Sequence, residues 1–440
     1  MFLLHSWKPS LGKKQEFFYQ KTVKNCYQKP QIFWNNFFKN PFTETSFSIN
    51  FVILYQTLSI FIPKKYLVLS LLKLKFLNSI FSFGSFFLFY YYCKMLYLQQ
   101  TFQSTIATTN QQRETVFREK TFLIAFSPIF FFSSLFFSPI NSSIFFLFLT
   151  FFFAQKNQNF WAFLFGFWSL FSDSKNIYWI CFIYGDLLIR NFEFTNGSNY
   201  RNSIFEFLFN FIKYSFKITL SSSFIFYPIL IISFLLITDS KNSKIQLKAN
   251  SLVDFSQFKN FILITSFLQI VEFLFDFVTI LKILKSQLTN PQLKYVLLAI
   301  FILLLFLIQN NNLFDQSQLS NFRKFPSPFN YTILIFFSFL KHWILQYIFF
   351  PLLFEFFLWY LWTSLKISRS FLWRIWFFFV VFLYSTFSSS NALFLDSEFF
   401  IIPYLLFKLN SRHYDSFLFH SIFLFFFINS FIFLLLLKFK

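Results

Sequence analysis

Apolar runs of membrane-spanning length recur along almost the whole chain, and no other feature constrains its fold as tightly. Phenylalanine builds most of them: 87 of the 440 residues are Phe, and hydrophobic residues make up 56%. Charged residues are 12%, about half the share usual in a soluble globular protein. No soluble fold of this size can hide so much apolar surface, which excludes a soluble enzyme. A disordered chain is excluded as well, because disorder needs low hydrophobicity and high charge. The expected fold class is all-α, a polytopic transmembrane helical protein.

Phe, Ile, Leu, Asn, Lys and Tyr are abundant, whereas Gly is nearly absent at 5 residues. The abundant residues have A/T-rich codons and the scarce ones G/C-rich codons. A very A/T-rich gene for a very hydrophobic protein suggests an organelle genome, and hence a multi-pass protein of the mitochondrial inner membrane. No Arg-rich, Ser-rich, acid-poor leader is expected, in keeping with synthesis inside the organelle. Codon drift makes any single Phe uninformative. A residue that resists drift inside an apolar run, such as Arg, Gly, Glu or His, carries more.

The net charge is +21. Lys residues sit mostly between the apolar runs, so they read as positive flanks and contacts to anionic lipid rather than to nucleic acid. Bound cardiolipin or another anionic lipid is the expected non-protein component, with no catalytic cofactor and no metal. Cys26, Cys93 and Cys181 are scattered and read as small core residues.

Three regions follow from the charge and turn pattern. Residues 1–46 form a basic extramembrane arm. Residues 47–203 are an N-terminal transmembrane extension that ends in the turn-rich NFEFTNGSNYRNS. Residues 204–440 form a second set of spans. Within the first set, 99–120 is a polar loop or amphipathic surface helix, and apolar segments lie near 159–171 and 177–190. In the second set the 239–250 loop and the C-terminus are basic and 389–398 is acidic, which places them on opposite sides of the membrane. Lys408 and Arg412 make 399–415 an imperfect perpendicular span.

A charge at mid-membrane costs about 2.5–3.5 kcal/mol on insertion scales, so such residues are functional candidates. The densest group lies in 351–374, with Glu355, Lys366, Arg369 and Arg374 among Phe, Leu and Trp. Ser364 and Ser368 are four apart and make a small-residue face, with Arg369 at its edge. Two readings stand side by side: a functional cation facing a neighbouring carboxylate, or a helix end whose basic side chains reach the interface. His420 and Asn429 lie in the last apolar stretch, where a lone polar residue also serves as a helix–helix hydrogen bond. Glu272 and Asp276 read as the polar face of an interfacial helix.

The second set resembles the a subunit of F-type ATP synthase. Asn312-Leu313-Phe314 stands where that family has an Asn-Leu-Leu-Gly pattern. Pro351 through Glu355 is similar to the opening of its long fifth helix, and Arg369 follows Glu355 by fourteen positions. Ser364-Leu365 ahead of Arg369 is similar to the family's Ser-Leu context. Ile428-Asn429-Ser430-Phe431-Ile432-Phe433 resembles its C-terminal helix. The resemblance covers roughly residues 215–440 and implies two long tilted C-terminal helices. It implies a non-catalytic stator subunit that conducts protons to and from the c-ring carboxylates. Arg369, Glu355, His420 and Asn429 are the implied proton-translocation residues, with Arg374 the alternative arginine. The implied partners are the c-ring, peripheral-stalk and other membrane-sector subunits, and a second copy of the complex. The alternatives are a divergent membrane subunit of a respiratory complex (NADH dehydrogenase or cytochrome oxidase) and a structural membrane protein.

Overall fold

The computed structural model describes residues 71–101, 118, 120–127, 130–131, 140–196, 204–221, 223–239, 261–262, 265–266, 358, 360–362, 364–365, 370–387, 397–411, 425–426 and 429–430. Among them the regular structure is helical and no strand occurs. The principal helices are α1 (Leu71–Thr101), α2 (Ile140–Gln155), α3 (Asn159–Ser172), α4 (Asn176–Asn196), α5 (Ile204–Ser221), α6 (Phe226–Asp239), α7 (Phe371–Phe387) and α8 (Ser397–Asn410). A 3-10 turn, Ser223–Ile225, leads into α6.

Long apolar runs favour helix because a helix satisfies its own backbone N–H and C=O groups. The breaks come where polar residues offer the backbone another partner. Between α2 and α3, Asn157 takes a left-handed conformation at φ 58°, which Asn tolerates. Between α3 and α4, the Asp173 carboxylate accepts a hydrogen bond from the Lys175 backbone N–H at 3.0 Å and closes a tight turn. Connections this short make α2, α3 and α4 antiparallel neighbours.

Helix α2 packs on α1 and α3, while α4 lies against α2, α6 and α7. Helix α8 packs on α1. The late helices α7 and α8 are therefore built onto the early ones. Rings fill the core. Phe89 meets Phe130 at 5.3 Å and Phe148 at 4.8 Å, both edge-on. Phe182 of α4 meets Trp373 at 5.6 Å and Phe377 at 5.9 Å across to α7. Edge-on pairs of this kind add about 0.5–1.5 kcal/mol beyond area burial.

The glycines among the described residues sit where helices come close. A side chain at Gly185 would overlap the Trp376 indole, and one at Gly84 would overlap the Phe145 ring. At Gly166 an added Cβ would lie 3.3 Å from Leu230.

Helix α8 ends on an unexpected cap. The Lys120 ammonium donates to the Leu409 carbonyl at 2.7 Å and to that of Ser411 at 2.9 Å. A cation at a helix C-terminus meets the negative end of the dipole and the unpaired carbonyls. The end of the 99–120 segment is thus folded onto α8.

The two late helices are short. Ser370 is not helical, α7 begins at Phe371 and runs 17 residues, and α8 runs 14 with Pro403 inside it. Among the described residues no single helix is long and apolar enough to cross a membrane. One bent pair, Phe209–Leu220 with Ser223–Leu236 at 94°, meets length and composition.

Candidate functional site

The strongest polar constellation among the described residues lies where α2, α4 and α7 meet. Asp186 of α4 is 2% exposed. Its Oδ1 accepts from Trp373 Nε1 of α7 at 2.7 Å, and its Oδ2 accepts from Gln155 Nε2 of α2 at 3.3 Å. One turn on, Arg190 Nε stands 3.3 Å from Asp186 Oδ2, and Arg190 Nη1 donates to Gln155 Oε1. The Arg190 side chain is 22% exposed, so the cluster reaches from the core toward the surface. Arg190 Nη2 is buried and has no hydrogen-bond partner.

Local sequence explains the placement. Asp186 and Arg190 are four apart, so they share one face of α4. Gln155 is the last residue of α2 and faces the middle of α4 because the α2–α3 turn follows at once. Trp373 lies in the first turn of α7, and Trp376, one turn further, donates from Nε1 to the Phe182 carbonyl at 3.1 Å. Two indole N–H groups thus fasten α7 to α4.

More polar pairs gather at the same end of the bundle. Asn159 Nδ2 donates to Ser223 Oγ at 2.6 Å, and Tyr184 pairs through its hydroxyl with Thr219. The opposite end has its own set, in which Asn176 Nδ2 donates to Ser143 Oγ at 2.8 Å and to the Ser169 carbonyl at 2.9 Å.

The chemistry available to Asp186 follows from its partners. Both carboxylate oxygens accept from fixed donors, and the Arg190 guanidinium stands 3.3 Å from one of them. Asp186 ties α2, α4 and α7 together and holds Arg190.

Of the sequence-predicted site residues, Glu355, Arg369 and His420 lie outside the described residues. Arg374 is 6% exposed. Its guanidinium lies 4.5 Å from the Trp362 ring centroid and 5.8 Å from that of Phe371. It also donates to the carbonyls of Ser370 at 3.4 Å and Trp362 at 3.5 Å. Its contacts are therefore within its own stretch of chain, across the break at Ser370. Asn429 is buried and donates from Nδ2 to the Phe126 carbonyl at 3.0 Å. Cys93 is buried and Cys181 half-buried, both as free thiols. Among the described residues no three His, Cys, Asp or Glu are grouped to hold a metal ion.

Asp186 and Arg190 carry the signal that singled out Glu355 and Arg369: charges inside an apolar run. Their spacing of four is a stronger cue than a separation of fourteen, because it pairs them on one helix face.

Fold and cluster together define an all-helical protein with a charged, hydrogen-bonded centre. The chain belongs to the DIE2/ALG10 family, whose model matches residues 45–409. That family consists of α-1,2-glucosyltransferases of the endoplasmic reticulum membrane that act in N-glycan synthesis. No curated protein and no solved structure matches the chain.

The match overturns the resemblance to the ATP synthase a subunit. It also overturns proton translocation, the respiratory-complex alternative, the c-ring and stalk partners, and the mitochondrial inner membrane. The physical reason lies in composition. The resembling motifs are short and made mostly of Phe, Leu, Ser and Asn, residues common enough in this chain to form such patterns without kinship. They also cover only roughly 215–440, whereas the family match runs through both halves. Packing agrees with the correction. Helix α7, which follows the expected ring-facing arginine, buries Trp373 and Phe377 and fastens both its tryptophans onto α4.

Proposed function

We propose that this chain is a multi-pass glucosyltransferase of the endoplasmic reticulum membrane that adds glucose in α-1,2 linkage during N-glycan synthesis. The family match over 45–409 carries the reading. In such a transfer the 2-hydroxyl oxygen of the acceptor sugar bonds to C1 of the activated glucose. The bond from C1 to the leaving group breaks with its electron pair, and the acceptor proton passes to a base.

The distribution of side chains supports the membrane part of the reading. Apolar stripes face outward: Phe83, Phe87 and Tyr91 on α1, and Phe371, Ile375 and Phe379 on α7, each at spacings of four. Polar groups face inward, among them Asn78, Asn141, Thr150, Gln155, Asn176 and Asp186. Water would favour the reverse arrangement, and lipid favours this one. The basic arm read in 1–46 ends where the family match begins, which supports treating it as an appendage to the matched region.

The cost of a charge at membrane depth does not depend on the family assigned. Glu355, Arg369 and His420 therefore stay candidates for the reaction, now as contacts to a sugar or its activating group. The test is transfer by the full-length protein in lipid nanodiscs, from an activated glucose donor to a glycan acceptor, with linkage analysis of the product. An α-1,2-linked glucose supports the reading, and a different sugar or linkage overturns it. Glu355→Gln is expected to lose transfer while keeping the melting temperature of the parent. Full activity in that variant removes Glu355 from the site.

A further inference from the structure

Helix α5 has one face fastened to the protein and the other open. On the inner face, Phe211 and Tyr214 both pack on Phe192 of α4, each at 5.3 Å, and Thr219 is bonded to Tyr184. On the outer face, Phe209 is 68% exposed, Ile212 53%, Phe216 68% and Leu220 74%. These positions fall at i, i+3, i+7 and i+11, so they form one continuous stripe along the helix. Lys213 and Lys217, both exposed, follow Ile212 and Phe216 by one position and border the stripe on one side. The axis of Phe209–Leu220 meets that of Ser223–Leu236 at 94°. Two helices at right angles cannot both run along the bilayer normal.

We propose that α5 lies in the plane of the membrane surface. Phe209, Ile212, Phe216 and Leu220 enter the acyl region of one leaflet, and Lys213 and Lys217 reach the lipid phosphates. Two observations, with the reach of a Lys side chain, select a lipid surface rather than a protein partner. The apolar stripe is bordered on one side by the exposed Asn210, Lys213 and Lys217, which is the pattern of an interfacial helix. Long Lys side chains reach phosphate level while their stems stay apolar. The right-angle bend also sets α5 flat when α6 stands upright. The inference rests on the membrane reading given under Proposed function.

The experiment labels the full-length protein in vesicles of phosphatidylcholine and phosphatidylglycerol. Single cysteines at 209, 212, 216 and 220, and at 229, 232 and 236 on α6, carry a spin label whose depth is read from oxygen against a water-soluble relaxant. The background replaces Cys26, Cys93 and Cys181 with Ala and is required to melt at the parent temperature. An in-plane α5 gives the same shallow depth at all four stripe positions, with a label at Lys217 open to water. A spanning α5 gives a steady gradient of about 16 Å from 209 to 220, at 1.5 Å per residue, and overturns the proposal. Labels closed to both oxygen and water mean that protein covers the stripe, which also overturns it. The α6 labels judge the underlying reading: a gradient of about 10 Å from 229 to 236 upholds a membrane-embedded α6, and water at all three removes it. Aqueous oxidative footprinting of the unsubstituted protein gives a second readout. Phe209 and Phe216 are expected to be protected in vesicles, and their full oxidation there contradicts the proposal.

Discussion

Asp186 concentrates the energetics of the bundle in one carboxylate. Taking a charge out of water is tolerated only when every partner is in place, and removing one partner of a buried pair costs about 3–5 kcal/mol. Arg190→Met is therefore expected to lower stability by that order, because Asp186 stays buried without its cation. Asp186→Leu combined with Arg190→Met is expected to recover much of the loss, since no unpaired charge remains. Thermal unfolding in detergent reads both, and a double variant as unstable as the single one contradicts the pairing. Trp373→Phe keeps a ring but deletes the 2.7 Å donor to Asp186 and is expected to cost about 1.5–3 kcal/mol, the range for hydrogen bonds to charged groups. At this scale the sequence was half legible. Asn429, read as a lone polar residue in the last apolar stretch, does make a helix-bridging hydrogen bond, but Asp186 and Arg190 go unmarked although they carry the same signal of charge inside an apolar run. The partners were not legible: Trp373 lies 187 positions from Asp186, and no local pattern joins them.

Among the elements, α7 and α4 are held by a close approach that few side chains allow. Gly185→Ala drives a methyl into a fixed indole and is expected to cost about 1–3 kcal/mol through overpacking. Gly166→Ala meets the end of a flexible Leu230 side chain at 3.3 Å and is expected to cost much less. Equal melting temperatures for the two variants contradict this account of the α4–α7 contact. The end of α8 makes a second test. Lys120→Met removes two hydrogen bonds and a cation from its last carbonyls, so amide exchange across 405–411 is expected to quicken by at least tenfold, about 1.4 kcal/mol. Unchanged exchange there means the cap contributes nothing. Helix existence was plain in the sequence, because apolar length and turn residues act locally. The apolar segment read near 159–171 coincides closely with α3, and that near 177–190 with most of α4, which runs on to Asn196 into the stretch read as a turn-rich break. Helix interruption was not plain: the charged and serine-bearing stretch before Ser370 reads as part of one long helix, whereas Ser370 is not helical and Trp373 just beyond it is tied to Asp186 of α4.

For the whole molecule, the apolar pattern pointed to helices, and the described residues are helical, but composition misdirected the choice of family. Hydropathy is common to every multi-pass protein, and a chain with 87 Phe in 440 residues leaves few other residue types to separate one family from another. A sequence built from few residue types yields short motif likenesses easily, so four of them in order were weaker than they looked. A match over 45–409 integrates many weak positions, including those of the first half that the motifs ignored. The packing of α7 on α4 gives that continuity a physical form, because the two halves of the chain share one core. Glucose transfer is the central claim. Its most direct measurement expresses the full-length chain in cells lacking their own α-1,2-glucosyltransferase of this pathway and weighs the N-glycan precursor. The account predicts a gain of one hexose, removable by a glucosidase specific for the terminal α-1,2 bond. A precursor of unchanged mass, from a chain that is folded and in the membrane, contradicts it.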